Sequence, residues 1–344
     1  MSVSFPGGRF VTVYAANTRQ RAAPDSRAFT SAREPEVSYD EYTISIPPGH
    51  VPGTIEWPEH QADPARQFGV VGHRILDRAG FEREVSKRRG GHPPDIGIFV
   101  HGYNTNYQEA LFRLAQMTAD ANVSHGAPIL FSWPSQGSVA GYVADKDAAT
   151  FSRDQLALLL TSIARTESRG KITIVGHSMG AWLTTEAIRQ LRLTEKNAVI
   201  ARLQVILAAP DIDVDVFKAQ VGVIGPLSPP MTILVSQDDL ALRASELLTG
   251  ERQRLGKLDV SDPRVVKATR EARVQVVDIT GLKSSDSFKH SRFAELAALY
   301  PKLSAANAKG APLDFRRSGA FVFNAVGATV SSPFLLAGKV VGGD

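Results

Sequence analysis

The sequence predicts an α/β protein with a mostly parallel central sheet flanked by helices. Three observations lead there. From about residue 95, short apolar runs alternate with longer segments whose apolar residues recur every three or four positions, the pattern of strand–helix crossovers. One junction, Ile172 to Val175 followed by Gly176-His177-Ser178-Met179-Gly180, puts small residues where a strand must turn sharply into a helix. The 344 residues, 43% of them hydrophobic, can bury a large core in one extended domain or in two.

Along the chain, residues 1–94 read as an N-terminal extension of the sheet rather than a separate domain, because few of their segments could close a core alone. Arg9 to Ala15 and Tyr42 to Ile46 are predicted strands, separated by turn-rich chain such as Pro47 to Gly53. Ala22 to Glu36 and Phe81 to Pro94 are charged and poor in apolar pattern, which predicts mobile loops. Residues 95–305 form the expected core. Its predicted strands are Ile96 to His101, Pro128 to Trp133, Ile172 to Val175, Leu203 to Ala208, Met231 to Val235 and Val274 to Ile279. Helices are predicted over Gln108 to Ala121, Ala148 to Arg165, Met179 to Arg192, Leu240 to Leu255 and Arg292 to Tyr300. Residues 306–344 are a tail. Within it Ser318 to Gly338 carries no charged side chain and is long enough to cross a bilayer, but Gly, Ser, Asn and Pro break it, which argues against membrane contact.

Composition narrows the function. The chain has no cysteine, so disulfides, thiolate nucleophiles and cysteine-based metal sites are excluded together. A net charge of +4 is spread along the chain, and Lys87-Arg88-Arg89 is its densest basic cluster, so nucleic acid is not an expected partner. The opening MSVSFPGGRFV lacks the pattern of a secretory signal. As it stands the sequence reads as cytoplasmic, or as periplasmic or envelope-bound if a signal precedes it. Nothing in it sets an oligomeric state.

The Gly-x-Ser-x-Gly spacing around Ser178 matches a nucleophile elbow, with Gly176 and Gly180 giving the backbone room; a helix-capping serine is the plain alternative. A serine hydroxyl needs a histidine to take its proton and a carboxylate behind that histidine. With this elbow the partners follow in the order serine, acid, histidine. Of eight histidines, His290 alone follows Ser178, on the loop after the last predicted strand. Asp239 is the expected acid at the end of Met231 to Val235, with Asp238 the near alternative or a helix cap, and Asp211 third. Met179 and Tyr103 are the expected amide donors to an oxyanion, with Gly102 letting the backbone approach. His101 reads as structural. Asn104 and Asn106 read as caps of the next helix.

HGYNTN, FSWPS at Phe131 to Ser135, VGHSMG, LAAPDID at Leu207 to Asp213 and SQDDLAL at Ser236 to Leu242 together resemble a bacterial α/β-hydrolase family of uncharacterised esterase/lipase-like serine hydrolases. SIPPGHVPGTIEWP at Ser45 to Pro58 is also similar, so the resemblance runs from about residue 9 to 300. It implies an α/β-hydrolase fold, a Ser178–Asp239–His290 triad and no cofactor. Relatives often carry a lipoprotein-type signal ahead of this region.

Two further expectations concern the surroundings of the serine. Asp211-Ile212-Asp213-Val214-Asp215 looks like the start of a calcium loop but has Val216 where glycine and Gly222 where glutamate would be needed, so no metal is expected. Asp211 is expected instead to order the crevice beside the serine. The connection from Pro210 to Pro230 has room for one small helix and no large cap domain, which predicts an open site suited to small-molecule or polymeric esters. His101, Gly102, Asn104, Trp133 and Asp211 are candidate pocket residues, and Tyr103, Tyr107, Trp133, Tyr142 and Trp182 are candidate aromatic walls, although residues of this kind are more often core packing than ligand contacts. The resulting expectation is an ester hydrolase working through an acyl-enzyme. The alternatives are a non-catalytic binding protein of the same fold, or a thioesterase, amidase or acyltransferase.

Overall fold

A computed structural model of the chain describes residues 8–59, 63–87, 94–123, 126–166 and 172–297. Among these residues one sheet of nine strands forms, from β1 (Arg9–Arg21), β2 (Phe29–Ile46), β3 (Gly69–Leu76), β4 (Asp95–Val100), β5 (Gly126–Ser132), β6 (Ile172–His177), β7 (Leu203–Ala208), β8 (Thr232–Val235) and β9 (Gln275–Asp278). Their spatial order is β3-β2-β1-β5-β4-β6-β7-β8-β9. The pairs β1/β5, β5/β4, β4/β6, β6/β7, β7/β8 and β8/β9 are parallel, and only the first three strands pair antiparallel, β1 with β2 and β2 with β3.

This order locates the site. The chain leaves β4, returns as β5 on one side, then crosses back to β6 on the other side of β4. Loops leaving the carboxyl ends of β4 and β6 diverge at that reversal, which is where open α/β sheets form a crevice. His101-Gly102-Tyr103 follows β4 and Ser178 follows β6.

Both faces of the sheet are covered, so the central strands read as continuous apolar runs. Alternate residues go to opposite cores: Ile172 and Ile174 to one, Val175 to the other, and likewise Val205 and Leu207 against Ile206 and Ala208. One core is closed by α1 (Arg78–Ser86), α4 (Arg153–Arg165), α5 (Met179–Leu193) and α7 (Val214–Ile224), the other by α2 (Tyr107–Asp120) and the helical residues 293–297. The remaining helices are α3 (Tyr142–Phe151), the single turn α6 (Asn197–Ile200), α8 (Leu240–Leu248) and α9 (Pro263–Ala272). Between β7 and β8 the chain carries α7 and no cap domain.

Several boundaries differ from the sequence reading. Ala22 to Glu36 is not a loop throughout: β2 begins at Phe29, because charged side chains are tolerated where its first half is exposed. Phe81 to Pro94 contains most of α1, which buries Phe81 and Val85 and is capped by Asp77 accepting from the Gly80 amide. The single helix predicted over Ala148 to Arg165 is two, α3 and α4, separated at Ser152. There the buried hydroxyl bonds Thr18 Oγ1 at 2.8 Å and the Ala148 carbonyl instead of leaving the helix undisturbed. The helix expected to reach Leu255 stops at Leu248, just before Gly250 at φ 73°. Residues 298–344, including the uncharged stretch of the tail, lie outside the described residues.

Candidate active site

Ser178 occupies the turn between β6 and α5 with φ 53° and ψ −121°, a conformation that costs an L-residue energy and persists only when its surroundings hold it. They do: its amide donates to the Ala208 carbonyl at 2.9 Å, and its own carbonyl accepts from the Asp211 amide at 3.2 Å. The two flanking glycines are sterically required. A Cβ on Gly180 would run into the carbonyl oxygens of His101 and Val100, and one on Gly176 would sit 2.6 Å from Thr184 Oγ1. Ser178 makes no side-chain capping bond to α5, so the plain capping alternative does not hold.

Asp239 and His290 meet. His290 Nδ1 donates to Asp239 Oδ2 at 2.7 Å, while Asp239 Oδ1 accepts from the Leu242 amide at 2.9 Å and caps α8. The capping role expected of Asp238 thus falls to Asp239. Burial alone would lower the pKa of His290. The charge and hydrogen bond of Asp239, with weaker help from Asp211 and Asp286, outweigh it and leave the pKa raised above 6.5. The ring of His290 lies 4.6 Å, centroid to centroid, from that of His177, the residue before Ser178. His177 in turn donates from Nε2 to the His290 carbonyl at 3.3 Å and is kept neutral by burial. Neither Ser178 Oγ nor His290 Nε2 has a hydrogen bond among the described residues, to each other or elsewhere.

Asp238 is engaged differently. It takes both terminal nitrogens of the buried Arg292 guanidinium, at 3.0 Å from Nη2, and Lys289 Nζ at 2.9 Å. Arg292 also reaches the Ser236 hydroxyl and donates from Nε to the Leu282 carbonyl at 2.9 Å. The Asp238 carboxyl is accordingly held far below the usual carboxylate range by Arg292. This brace ties the His290 loop to the end of β8, and Asp286 fixes the loop from the other side through the His290 and Ser291 amides.

The amides of Tyr103 and Met179 have no acceptor among the described residues, and Gly102 lies against Ser178, where an added Cβ would come within 3.0 Å of the serine Cβ. Met179 opens α5, so its amide shares the positive end of that helix. The loop carrying Tyr103 is pinned by two buried groups that the sequence reading missed. Arg19 of β1 donates to the Thr105 and Ser135 carbonyls, each at 2.9 Å, and to Ser132 Oγ at 2.9 Å. Asp145 of α3 accepts from the Asn104 and Gln136 amides and from Ser135 Oγ. No local pattern marks either; both act across the fold.

Some predicted pocket residues are core instead. Trp133 is fully buried, donates from its indole nitrogen to the His101 carbonyl at 2.8 Å and stacks on the His101 ring at 4.9 Å. Burial pushes the pKa of His101 down to about 3, so it stays neutral and structural. Tyr107 is buried against Tyr42 and Asn17. Asn104 does not cap α2. It takes a left-handed turn at φ 52°, and Asn106 alone forms the capping box with Glu109. Asp211 is committed to Tyr142 at 3.0 Å, Ser245 at 2.6 Å and Arg254 at 3.3 Å, not to His290. An apolar hollow of about 110 Å³ lies at the opposite ends of the strands, around Ile96, Thr173 and Gln204, with no serine or histidine in its lining.

Residues 77–307 match the family described as alpha/beta hydrolase of unknown function (DUF900). The chain belongs to that family. The match begins at the cap of α1 and covers every candidate residue from His101 to His290, leaving β1 to β3 ahead of it. An uncharacterised protein of Nostoc sp. (strain PCC 7120), alr1448, is 38% identical over 120 residues, covering 28% of this chain and 31% of that protein's length. As an alpha/beta hydrolase, the chain has its candidate groups where that fold gathers them, at the carboxyl ends of parallel strands. Among the described residues no cluster of histidine and carboxylate groups is arranged to hold a metal ion, and no helix is long and apolar enough to cross a membrane.

Proposed function

We propose that the chain hydrolyses carboxylic esters through an acyl-enzyme formed on Ser178. The observation that carries this reading is a pair of unengaged atoms on two otherwise fixed residues, one of them, His290, packed against the chain neighbour of the other. Ser178 Oγ stands on a strained elbow, and His290 Nε2 is left open because Nδ1 is held by Asp239. In this mechanism Ser178 Oγ attacks the ester carbonyl as His290 Nε2 takes its proton. Asp239 keeps the imidazole in the tautomer that can accept, and stabilises the imidazolium that forms. The carbonyl oxygen becomes an oxyanion facing the Tyr103 and Met179 amides. Collapse expels the alcohol, protonated by His290. Water, deprotonated by the same histidine, then attacks the acyl-serine and releases the acid.

The test is hydrolysis of p-nitrophenyl acetate and butyrate by wild-type protein and by Ser178→Ala. A turnover that depends on Ser178 is expected, with a burst of p-nitrophenol where deacylation is slow. Equal turnover by the two proteins would place the chemistry elsewhere.

A further inference from the structure

Beside Ser178 lies a wall of charged and aromatic groups that the proposed reaction does not use. Asp211, whose amide holds the Ser178 carbonyl, has its carboxylate taken by two hydrogen bonds, from Tyr142 and Ser245, and by an ion pair with Arg254. Glu186, farther along α5, accepts from Gln220 at 2.8 Å. One cation in this neighbourhood is left over. Lys146 of α3 makes no hydrogen bond or ion pair from its ammonium among the described residues, which instead sits 3.8 Å above the ring of Trp182. Tyr142 and Lys146 are four residues apart on α3 and share one face of it, and Trp182 lies in the first turn of α5, directly after Ser178. The Lys146 ammonium therefore stands over the first turn of α5, the helix that Ser178 opens, where the Asp211 carboxylate also acts on its charge. Lys146 and Trp182 are both only partly buried, so solvent reaches this layer.

An ammonium carries three donors, and partial burial without an acceptor is unfavourable. Burial, helped by the nearby Arg254 charge, lowers the pKa of Lys146 to about 8, and the carboxylates of Asp211 and Glu186 offset only part of that. Groups undercompensated in this way and close to a reactive centre are typical of binding sites. The alternative, a purely structural cation–π contact, leaves the ammonium without a protein acceptor among the described residues.

Resting on the ester-hydrolase reading, we propose that Lys146 is a specificity residue that binds a carboxylate on the substrate. The preferred ester then carries an anionic group a short chain away from the scissile carbonyl, as in a hemiester of a dicarboxylic acid.

Two measurements test this. The first compares kcat/KM for mono-p-nitrophenyl glutarate with that for neutral p-nitrophenyl valerate, in wild-type protein and in Lys146→Met and Lys146→Arg. Methionine keeps the stem packed on Trp182 and removes the charge. The expected result is that the ratio of hemiester to neutral ester falls about tenfold in Lys146→Met, through KM, and is largely kept in Lys146→Arg. A ratio unchanged in Lys146→Met overturns the inference. The second measures binding of monomethyl glutarate by calorimetry to the Ser178→Ala protein, with and without Lys146→Met, after thermal melting shows both folded. Binding weakened about tenfold by the second substitution supports the inference. No binding, or binding indifferent to Lys146, overturns it whether or not the chain hydrolyses esters. Binding with no ester turnover by wild-type protein overturns the hydrolase reading alone.

Discussion

His290 and His50 are alike in most respects and differ at one nitrogen. Each lies against carboxylate, His290 Nδ1 at 2.7 Å from Asp239, His50 Nδ1 at 2.8 Å from Glu56. In each, burial would lower the pKa, and the neighbouring carboxylates reverse the sign. But His50 Nε2 is also taken, by Asp120 at 2.8 Å, whereas His290 Nε2 has no partner among the described residues. Asp120 further accepts from the Gly53 amide at 2.7 Å and Glu56 from the Val51 amide at 2.9 Å, so His50 staples the turn-rich segment after β2 onto α2. A carboxylate partner is therefore no mark of chemistry by itself. The distinguishing feature is an Nε2 without a partner among the described residues, on a ring packed against His177, the residue before the strained and unbonded Ser178.

The largest effects should come from the pair of vacant atoms. Ser178→Ala and His290→Ala are each expected to lower kcat for a p-nitrophenyl ester by about a millionfold, as residues acting as one unit do. A loss below tenfold in either would erase the contrast with His50.

Asp239→Asn should cost about 10⁴ in kcat by favouring the wrong tautomer. It should also move the pH profile. The imidazole must be neutral to accept a proton, so kcat/KM rises with pH through its pKa, which in the native protein lies above 6.5. Without the Asp239 charge, burial dominates and the acid limb shifts to lower pH. Asp238→Asn should not reproduce that shift, because Asp238 faces Arg292.

Arg292→Leu, which removes the brace on the His290 loop, should lower kcat about a hundredfold with little change in KM, as small misplacements of a reacting group do. Partial recovery in Arg292→Lys is expected, read by the same steady-state assay.

The smallest effect on turnover should come from His50→Leu, which is expected to leave ester hydrolysis unchanged while costing about 1–3 kcal/mol of stability. The sign with pH follows from the raised pKa. The stabilisation is fully present below the unfolded value of 6.5 and is lost as pH rises through the higher folded value. The difference in Tm between wild type and His50→Leu should therefore be largest at acid pH and narrow toward alkaline pH.

The parallel strands were legible because both faces are buried, so each is a short apolar run between polar turns. β3 was not, since its side chains are mixed and partly exposed. Nor was α9, where Thr269 is the single buried residue of Pro263-Arg-Val-Val-Lys-Ala-Thr-Arg-Glu-Ala and the apolar face that packs is only Val265, Val266 and Ala272. Around the site, the elbow could be read from local sequence because its glycines answer a local steric demand. The acid and the histidine could be proposed from chain order. What held them could not: Arg19, Asp145 and Arg292 act through contacts with residues distant in sequence, and a buried arginine looks in sequence like an exposed one. Among the candidate aromatic walls, Trp133 and Tyr107 take the core-packing alternative, satisfying their polar atoms inside the core.

The most direct test of a reactive serine is exposure of the folded protein to a fluorophosphonate, followed by intact mass and peptide mapping. One adduct is expected, on Ser178, abolished in Ser178→Ala and slowed in His290→Ala. A protein that stays unlabelled while folded, or one labelled equally well without Ser178, would contradict it.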